Sequence, residues 1–525
     1  MYVQQLAVSI VVYAVIGYAI YALWRRSRSR LEPDELLPTG DATRYALASA
    51  VLNGAAFRRR VIRLARHRYR AKAPELGLDF PLLYAACRKF EREDRIYDWL
   101  VVVTALLALP YILFFVDPRA IYMLFGPAVV QYGWIPVPVV LLILVVKAVR
   151  DVNRVTPFLR DDYNAAEVRQ RFLDGASEVQ GPTPADNVVC YGRRQPFVGL
   201  GVQFAGWQVA VEMDRKANGP LAPLRNGHAS AQVDVHQLLG AVDDSIRALN
   251  IPQLEMKFPL FVSGIDVAQI KPLLPEKFAA PRAQADGETL SAFWYHADPR
   301  ARCYRWYLIT DWNGELVFSY MLRIFRRGPS LAIETAQLIL PPIDVKYRRI
   351  DTLEHSPIRA WIGAVFGAIA RSPLGLLYAV MGALQHVLEL LGIADRGERS
   401  ERRRIARNPA YNYGAKEAIR EIMAARDFHV YFQRVDARQH FTAIDRRILN
   451  TLTETLQNAG IDVSSLIGQA QTIINNSTNI VGNTVTGNTG PVTLGDIGAG
   501  STVGAPGATG LVQQAAGALK ARASA

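Results

Sequence analysis

Three long runs of uncharged, mostly apolar residues occupy positions 6–24, 99–116 and 121–146 of the chain. An α-helix rises ~1.5 Å per residue, so a run of about 18 apolar residues nearly crosses the ~30 Å hydrocarbon core of a bilayer. The pattern therefore predicts a multi-pass α-helical membrane anchor of three spans. One span lies within residues 1–30, and the other two form a transmembrane hairpin over residues 99–150.

Basic residues beside these runs predict their orientation. Arginines cluster at positions 25–30, and Lys and Arg precede the first arm of the hairpin and follow the second. Because such residues stay on the cytoplasmic side, we expect the N-terminus outside and the bulk of the chain in the cytoplasm. The spans hold no charged side chain except Lys147 at one end, which argues against an ion or proton pathway.

The segment at 31–98 joins the first span to the hairpin, and positions 41–72 have the composition of a helix that Asp41 could cap. Its basic side chains are predicted to bind lipid headgroups: Arg58, Arg59, Arg60, Arg63, Arg66, Arg68 and Arg70. A clamp on anionic lipid is the sharper interpretation. A solvated helix beside the membrane is the simpler one, and nucleic-acid binding is the least favoured.

Residues 155–350 change to a strand pattern. Positions 188–211 mix β-branched and aromatic residues, positions 234–249 have helical spacing, and positions 331–340 read as another strand. Asn313-Gly314 separates two further strands and predicts a hairpin closed by a two-residue turn, because Asn-Gly adopts positive φ values. We therefore expect a cytoplasmic α+β domain with a mainly antiparallel sheet.

Catalytic chemistry is not indicated in that domain. Gly199 and Gly201 lack the third glycine of a nucleotide-binding loop, and the nearness of His296 to Cys303 along the chain is poor support for a catalytic pair. The three cysteines are isolated, so they predict neither a zinc site nor a disulfide framework. No cofactor and no metal are expected.

Aromatic residues in the same domain alternate with arginines and define a possible binding face made of Trp294, Tyr304, Trp306 and Trp312. These rings could form the core of the sheet with a polar rim, which is the favoured interpretation. They could instead form an exposed aromatic and cationic face for a ligand.

A second apolar region covers residues 358–394 and is broken at Ser372-Pro373. Its predicted membrane residues are Trp361, Phe366, Gly375, Ala379, Gly382, His386 and Glu389. The small residues among them recur at spacings that let helices approach closely in lipid. An amphipathic or re-entrant helical hairpin is favoured over a fourth span, because arginines follow it. Helices that cover the domain's own sheet are the remaining alternative.

The C-terminal part divides at Gly460. Residues 395–460 read as a basic linker and helices, with an apolar stripe from Phe441 to Leu456 that predicts packing or a coiled-coil partner. Residues 461–525 are rich in Asn, Thr and Gly, which indicates either a small β-repeat that assembles chains or disorder.

Composition fits this division. The chain has 525 residues, of which 50% are hydrophobic and 20% are charged, and its formal net charge is +13. That length allows roughly two to four domains. The basic clusters lie beside apolar segments, which favours anionic lipid over nucleic acid as the partner.

Several motifs carry a resemblance: QPFVGLG, GWQVAVEMD, LILPPI, RNPAYNYGAKEAIRE and INNSTNIVGNTVTGNTG. Over residues 150–500 the chain resembles a group of uncharacterised bacterial, mainly actinobacterial, membrane proteins with a cytoplasmic domain. The resemblance implies a bacterial cytoplasmic membrane and carries over no functional residue.

The sequence leads to three functional hypotheses. The first is a membrane-anchored, non-enzymatic docking platform or sensor that presents its cytoplasmic domain to a protein partner or large assembly and forms homo-oligomers through its C-terminal part. The alternative is an effector that permeabilises the bilayer through residues 358–394. An enzyme with a site in residues 155–350 is third.

Overall fold

A computed structural model describes residues 41–114, 135–173, 182–183, 185–213, 233–294, 298–351, 357–370, 372–390 and 395–479, with isolated residues at 119, 123, 132 and 492–493. The predicted first span and the Asn/Thr/Gly-rich tail beyond residue 479, apart from 492–493, lie outside these residues. The described part is an α+β structure with mixed sheets.

The helices are α1 (Ala42–Leu52), α2 (Gly54–Arg66), α3 (Phe80–Phe114), α4 (Pro136–Val155), α5 (Ala165–Leu173), α6 (Val235–Arg247), α7 (Gly287–Trp294), α8 (Pro357–Ala370), α9 (Ser372–Leu390), α10 (Asp395–Arg407), α11 (Ile419–Met423), α12 (Tyr431–Asn458) and α13 (Ser464–Asn479). The strands are β1 (Val188–Tyr191), β2 (Val202–Ala205), β3 (Trp207–Glu212), β4 (Leu254–Lys257), β5 (Leu260–Ser263), β6 (Ala301–Cys303), β7 (Arg305–Asp311), β8 (Leu316–Arg327), β9 (Ser330–Leu340) and β10 (Val492–Thr493).

The larger sheet has the order β10-β3-β9-β8-β7-β4, with β2 also paired to β9. Its pairs are antiparallel except β10 with β3. Strands β7, β8 and β9 align Tyr307, Tyr320 and Gln337 across the sheet. A smaller sheet, β1-β5-β6, pairs β1 with β5 in parallel. Side chains of the larger sheet pack with α6 and α12 in one extensive hydrophobic core.

The predicted Asn-Gly hairpin is present but wider than expected. Strands β7 and β8 pair as far as Asp311 with Leu316, so four residues rather than two form the turn. Trp312, Asn313 and Gly314 all have positive φ values, at 52°, 54° and 88°. The fourth turn residue, Glu315, turns into the protein interior and is fully buried. The prediction of a two-residue turn was therefore wrong. The Glu315 side chain is held in the interior, and Glu315 belongs to the turn instead of pairing with a residue of β7.

Helix α12 carries the apolar stripe expected near Phe441. Phe441, Ile444 and Leu456 are buried in the core beneath the larger sheet, so the stripe packs within the chain rather than serving a coiled-coil partner. One polar residue lies in this contact. Asp445 is fully buried and accepts hydrogen bonds from Trp207 Nε1 at 2.8 Å, Tyr320 Oη at 2.6 Å and Gln337 Nε2 at 2.8 Å. These three donors come from β3, β8 and β9, and they fix the helix on the sheet.

The three-span anchor predicted from the sequence is contradicted. In the described part of the chain no single helix is both long and apolar enough to cross a membrane. The segments Trp361–Ala370 and Leu374–Leu388 satisfy that test only as a pair, with a bend of 81° between them. The apolar run at 99–114 is the second half of α3, a continuous helix of 35 residues whose first half is charged. The uncharged run marks only the apolar half of this helix, so it did not show that the helix begins in the charged residues before it.

Replacing Asp445 with Ala should destabilise the fold strongly. The substitution leaves three buried donors without their acceptor, and each unsatisfied group costs ~1–3 kcal/mol. We expect a loss of about 3 kcal/mol or more, measured by chemical unfolding of the purified protein. Asp244→Ala is the control, since Asp244 forms an exposed pair with Arg247 on α6, and such pairs contribute ~0–1 kcal/mol. Equal losses for the two variants would contradict the assigned role.

The same carboxyl makes stability depend on pH. Burial raises the pKa of Asp445 to about 6, against an ordinary value of 3.8. The folded state therefore retains a proton that the unfolded state releases, so this contribution is largest below pH 4 and falls as pH rises through 6. Relative to Asp445→Asn, the wild type should lose on the order of 2 kcal/mol between pH 4 and pH 7. Parallel pH profiles for the two proteins would refute this.

Candidate functional site

Four helices form a bundle in which the second half of α3 and α4 pack against α8 and α9. Ala379 of α9 is buried with Val101 and Leu144. A Cβ added at Gly375 would lie 3.2 Å from Leu144 Cδ2, and one at Gly382 would overlap the Asp98 carboxylate. The small residues of α9 thus lie where the helix approaches α3 and α4 most closely. Helices α8 and α9 do not cover the sheet, so that alternative is wrong.

The outer surface of this bundle is apolar. Large hydrophobic side chains on all four helices are exposed: Leu100, Val103, Leu106 and Leu107 on α3; Leu142 and Val146 on α4; Trp361, Ile362, Phe366 and Ile369 on α8; Leu374, Leu377, Tyr378, Met381 and Leu384 on α9. Leu107 is 65% exposed and Tyr378 is 70% exposed. Exposed apolar surface of this extent marks a protein or membrane contact.

A collar of ion pairs joins α3 to α4 where the apolar surface ends. Asp98 pairs with Lys147 at 2.8 Å, and Glu93 pairs with Arg150 at 2.6 Å. Farther along α4, Arg154 contacts both Glu93 and Asp94, at 2.7 and 2.6 Å. The bundle therefore changes within about two helical turns from a charged half, packed on the rest of the protein, to an apolar half.

Arg58 belongs to this collar and not to a lipid-binding face. It is 4% exposed, pairs with Glu91 and with Asp94, and donates to the Ala50 carbonyl at 2.8 Å. Its assignment as a headgroup ligand was therefore wrong. Glu91 and Asp94 lie on α3, more than thirty residues along the chain, so local composition did not distinguish Arg58 from its neighbours.

The predicted helix at 41–72 is two helices, α1 and α2, followed by residues 67–72 without helical structure. Its other arginines lie near polar partners to different degrees. Arg60 pairs with Glu417 at 2.8 Å, Arg70 with Glu401 at 3.1 Å and Arg68 more loosely with Glu398 at 3.4 Å, while Arg59 donates to Gln385 Oε1 at 2.7 Å. Arg63 and Arg66 line a cavity instead.

This cavity, of about 900 Å³, lies between α2, residues 67–70, the first half of α3, the end of α9, and α10. We call it the cationic cavity. Its charged lining consists of Arg59, Arg63, Arg66, Arg68, Arg70, Arg88, Arg92, Arg95 and Arg404, with Glu91, Glu398 and Glu401. Nine arginines against three glutamates leave an excess of six positive charges when His67 is neutral. Burial lowers the pKa of His67, which favours its neutral form.

The electrostatic effect reaches a neighbouring lysine. The Arg70 guanidinium lowers the pKa of Lys416, with burial as the second cause. Lys416 lines an adjacent cavity of about 550 Å³ that shares Arg63, His67 and Arg70 with the first. Positive potential therefore extends across this side of α2.

His386 and Glu389, predicted as membrane residues, belong to the last turns of α9. The His386 ring lies 3.3 Å from Arg95 and edge-on to Trp99, at the border between the charged and apolar halves of the bundle. The side chain of Glu389 lies outside the described atoms. Trp361 and Phe366 are exposed on α8.

The four aromatic residues of the possible binding face do not share one exposed surface. Tyr304 and Trp306 are buried in one core beside the larger sheet, and Tyr304 donates to Glu334 at 2.7 Å. Trp312 packs against the core under α12 and donates to Asp436 at 3.0 Å. Trp294 lies half-buried under the Arg305 guanidinium. These positions agree with the interpretation that the rings belong to the core of the sheet, and not with an exposed face for a ligand.

Catalytic groups are not brought together in the described residues. Cys87, Cys190 and Cys303 are free and buried, and burial raises the pKa of both Cys190 and Cys303 to about 12, which disfavours a reactive thiolate. Within the described residues, no group of three or more His, Cys, Asp or Glu could hold a metal ion. His296 lies outside those residues.

Comparison with known proteins gives one finding about the family. A family model described as the AbeC-like domain matches residues 206–489, just over half of the chain. No curated protein and no solved structure matches. The matched segment runs from β3 to α13 and beyond, so it includes α8, α9 and α10 and leaves out α1 to α5.

Removing the buried arginine should be far more damaging than removing an exposed one. Arg58→Gln leaves Glu91 without its partner and Asp94 with Arg154 alone, and breaking a buried ion pair costs ~3–5 kcal/mol. Arg60→Gln removes the half-exposed pair with Glu417 and should cost below about 1 kcal/mol. Thermal unfolding of both variants measures the difference. Similar melting temperatures would show that the collar does not stabilise the fold.

Proposed function

The chain belongs to the AbeC-like domain family, and we propose that it is a non-enzymatic platform attached to a membrane by its four-helix bundle. In this proposal the apolar half of the bundle enters the bilayer as one unit, and the α+β part is presented at the surface to a protein partner. One observation carries it: exposed apolar side chains cover four adjoining helices and stop at a collar of ion pairs.

The charge distribution supports the same orientation. Arg92, which is exposed on α3, and Arg95, about one turn further along, lie beside the apolar half. Basic residues at this level are attracted to anionic headgroups. Helix α9, with Gly375 and Gly382 against α3 and α4, is part of the bundle rather than a separate hairpin, which does not favour a permeabilising effector.

Two further parts of the proposal rest on sequence alone. Self-association through the Asn/Thr/Gly-rich tail concerns residues that lie mostly outside the described part. A bacterial cytoplasmic membrane is an expectation from the basic flanks and the resemblance. Neither is needed for the attachment through the bundle.

Site-directed fluorescent labelling tests the attachment. The buried native cysteines favour selective labelling of Leu107→Cys on α3 and Phe366→Cys on α8 with an environment-sensitive dye. On addition of vesicles containing anionic lipid, emission at both positions should shift to the blue and rise several-fold, since both side chains enter hydrocarbon. Phe432→Cys is the matched control, because Phe432 is an exposed aromatic residue on α12, 63% exposed and outside the bundle.

The outcomes separate the hypotheses. Unchanged emission at positions 107 and 366, or an equal shift at position 432, would refute attachment through the bundle. Dye trapped inside the vesicles should remain there. Its release by the wild type, abolished by Phe366→Glu, would instead support a permeabilising effector.

A further inference from the structure

We propose that the cationic cavity is a binding site for a ligand that carries two or more phosphate groups. This goes beyond attachment to a membrane, because the ligand is held by a cavity beside the bundle and not by the apolar surface.

Two helices supply matching rows of arginine to the cavity. Arg59, Arg63 and Arg66 follow one another at i, i+4 and i+7 on α2, and Arg88, Arg92 and Arg95 have the same spacing on α3. Such spacing places side chains on one face of a helix. Both faces line the same cavity, and Arg404 of α10 adds a third side.

Five of these arginines are available for a ligand. Among the described residues, Arg63, Arg66, Arg88, Arg92 and Arg404 make no ion pair with a carboxylate. The glutamates of the lining already have partners, which are Arg58 outside the cavity and Arg68 and Arg70 within its lining. Glu91 contacts Arg58 at 3.3 Å, and Glu401 contacts Arg70 at 3.1 Å and accepts from the Tyr411 hydroxyl at 2.5 Å.

Like charges at this spacing repel one another, both along each helix and across the cavity. An excess of six positive charges therefore favours occupation by an anion. Guanidinium groups match the oxygens of phosphate with paired hydrogen bonds and keep their charge at any physiological pH. A cavity of about 900 Å³ is much larger than one phosphate and falls in the range of small-molecule sites. A ligand with several phosphate groups fits both the volume and the charge.

The ligand can have one of two sources. Leu388 and Gln385 at the end of α9 line the cavity, and Arg95 is followed directly by the exposed Ile96. A lipid with two phosphates could therefore place its headgroup inside and its chains along the bundle. A soluble molecule with a chain of phosphates offers the same chemistry without the chains.

Calorimetry with the full-length protein in neutral detergent tests the site with inorganic triphosphate as the probe. The wild type should bind it. Because a guanidinium–phosphate contact is charge-assisted, Arg63→Gln/Arg92→Gln should weaken binding about tenfold per arginine, or about 100-fold together. Arg326→Gln/Arg327→Gln, which removes two exposed arginines at the end of β8, is the charge-matched control and should leave the affinity unchanged.

A substitution that should tighten binding keeps the test independent of folding, because damage to the fold would weaken binding instead. Glu398 lines the cavity, is 46% exposed and pairs only loosely with Arg68, so Glu398→Gln should tighten triphosphate binding roughly threefold. Nanodiscs with a diphosphate lipid distinguish the sources. If triphosphate competes with this lipid but binds more weakly than it does, the natural ligand is a lipid headgroup. If triphosphate binds more tightly than the lipid, the natural ligand is a soluble molecule.

Three results would overturn the proposal. The wild type could bind neither triphosphate nor the diphosphate lipid. The Arg326/Arg327 control could lose as much affinity as the cavity variant. A single-stranded RNA could bind tightly and be insensitive to Arg63→Gln/Arg92→Gln, which would indicate a general basic surface instead of a phosphate cavity.

Discussion

A buried chain of charges joins the N-terminal helices to the larger sheet. Glu315, in the turn between β7 and β8, lies 3.3 Å from Arg348, which in turn contacts Asp351 at 3.3 Å. Arg44 of α1 reaches the other oxygen of Asp351 at 2.9 Å. Glu315 and Arg348 are almost completely buried, and an unpaired charge there would cost several kcal/mol. The position of α1 is therefore fixed by the ion pair between Arg44 and Asp351. Helices α2 and α3 pack against α1, so their positions depend on the same network.

The motif RNPAYNYGAKEAIRE closes the other side of the same arrangement. Arg420 is fully buried and donates to the carbonyls of Glu315 and Pro341, at 2.7 and 2.9 Å. Glu75 accepts from the backbone N–H groups of Ile419 and Arg420, and burial raises its pKa to about 8. Earlier in the motif, a Cβ at Gly414 would overlap the Tyr191 backbone. The motif that carries the resemblance thus serves the fold by joining the small sheet, the turn at Glu315 and the segment before α3.

Local sequence patterns predicted two kinds of feature. One kind is formed by residues that are close together in the sequence, and the other is a helix face whose residues are all of one type. The Phe441 stripe, the strands around Asn313 and the close approach at Gly375 could be recognised in this way. The cationic cavity could not, because its walls come from positions 59–95 and 385–404, and composition does not show which arginines meet. Arg58 and Arg63 have similar neighbours in sequence, yet one is enclosed by Glu91 and Asp94 while the other faces the cavity. Hydropathy likewise identified the apolar run of α3 but did not show that the charged residues before this run belong to the same helix.

The boundary of the family match bears on where function resides. The matched segment, 206–489, supplies α8, α9 and α10, whereas α2, α3 and α4 precede it. The apolar bundle needs helices from both parts, since Gly375 and Gly382 of α9 fit against Leu144 and Asp98. The cavity needs both as well, because Arg404 lines it together with the arginine rows of α2 and α3. An AbeC-like segment without these preceding helices would retain the larger sheet apart from β2 and β10, but it would lack half of the bundle and most of the cavity's positive charge. Both proposed sites therefore belong to the whole chain, and relatives that share only the matched segment need not share them.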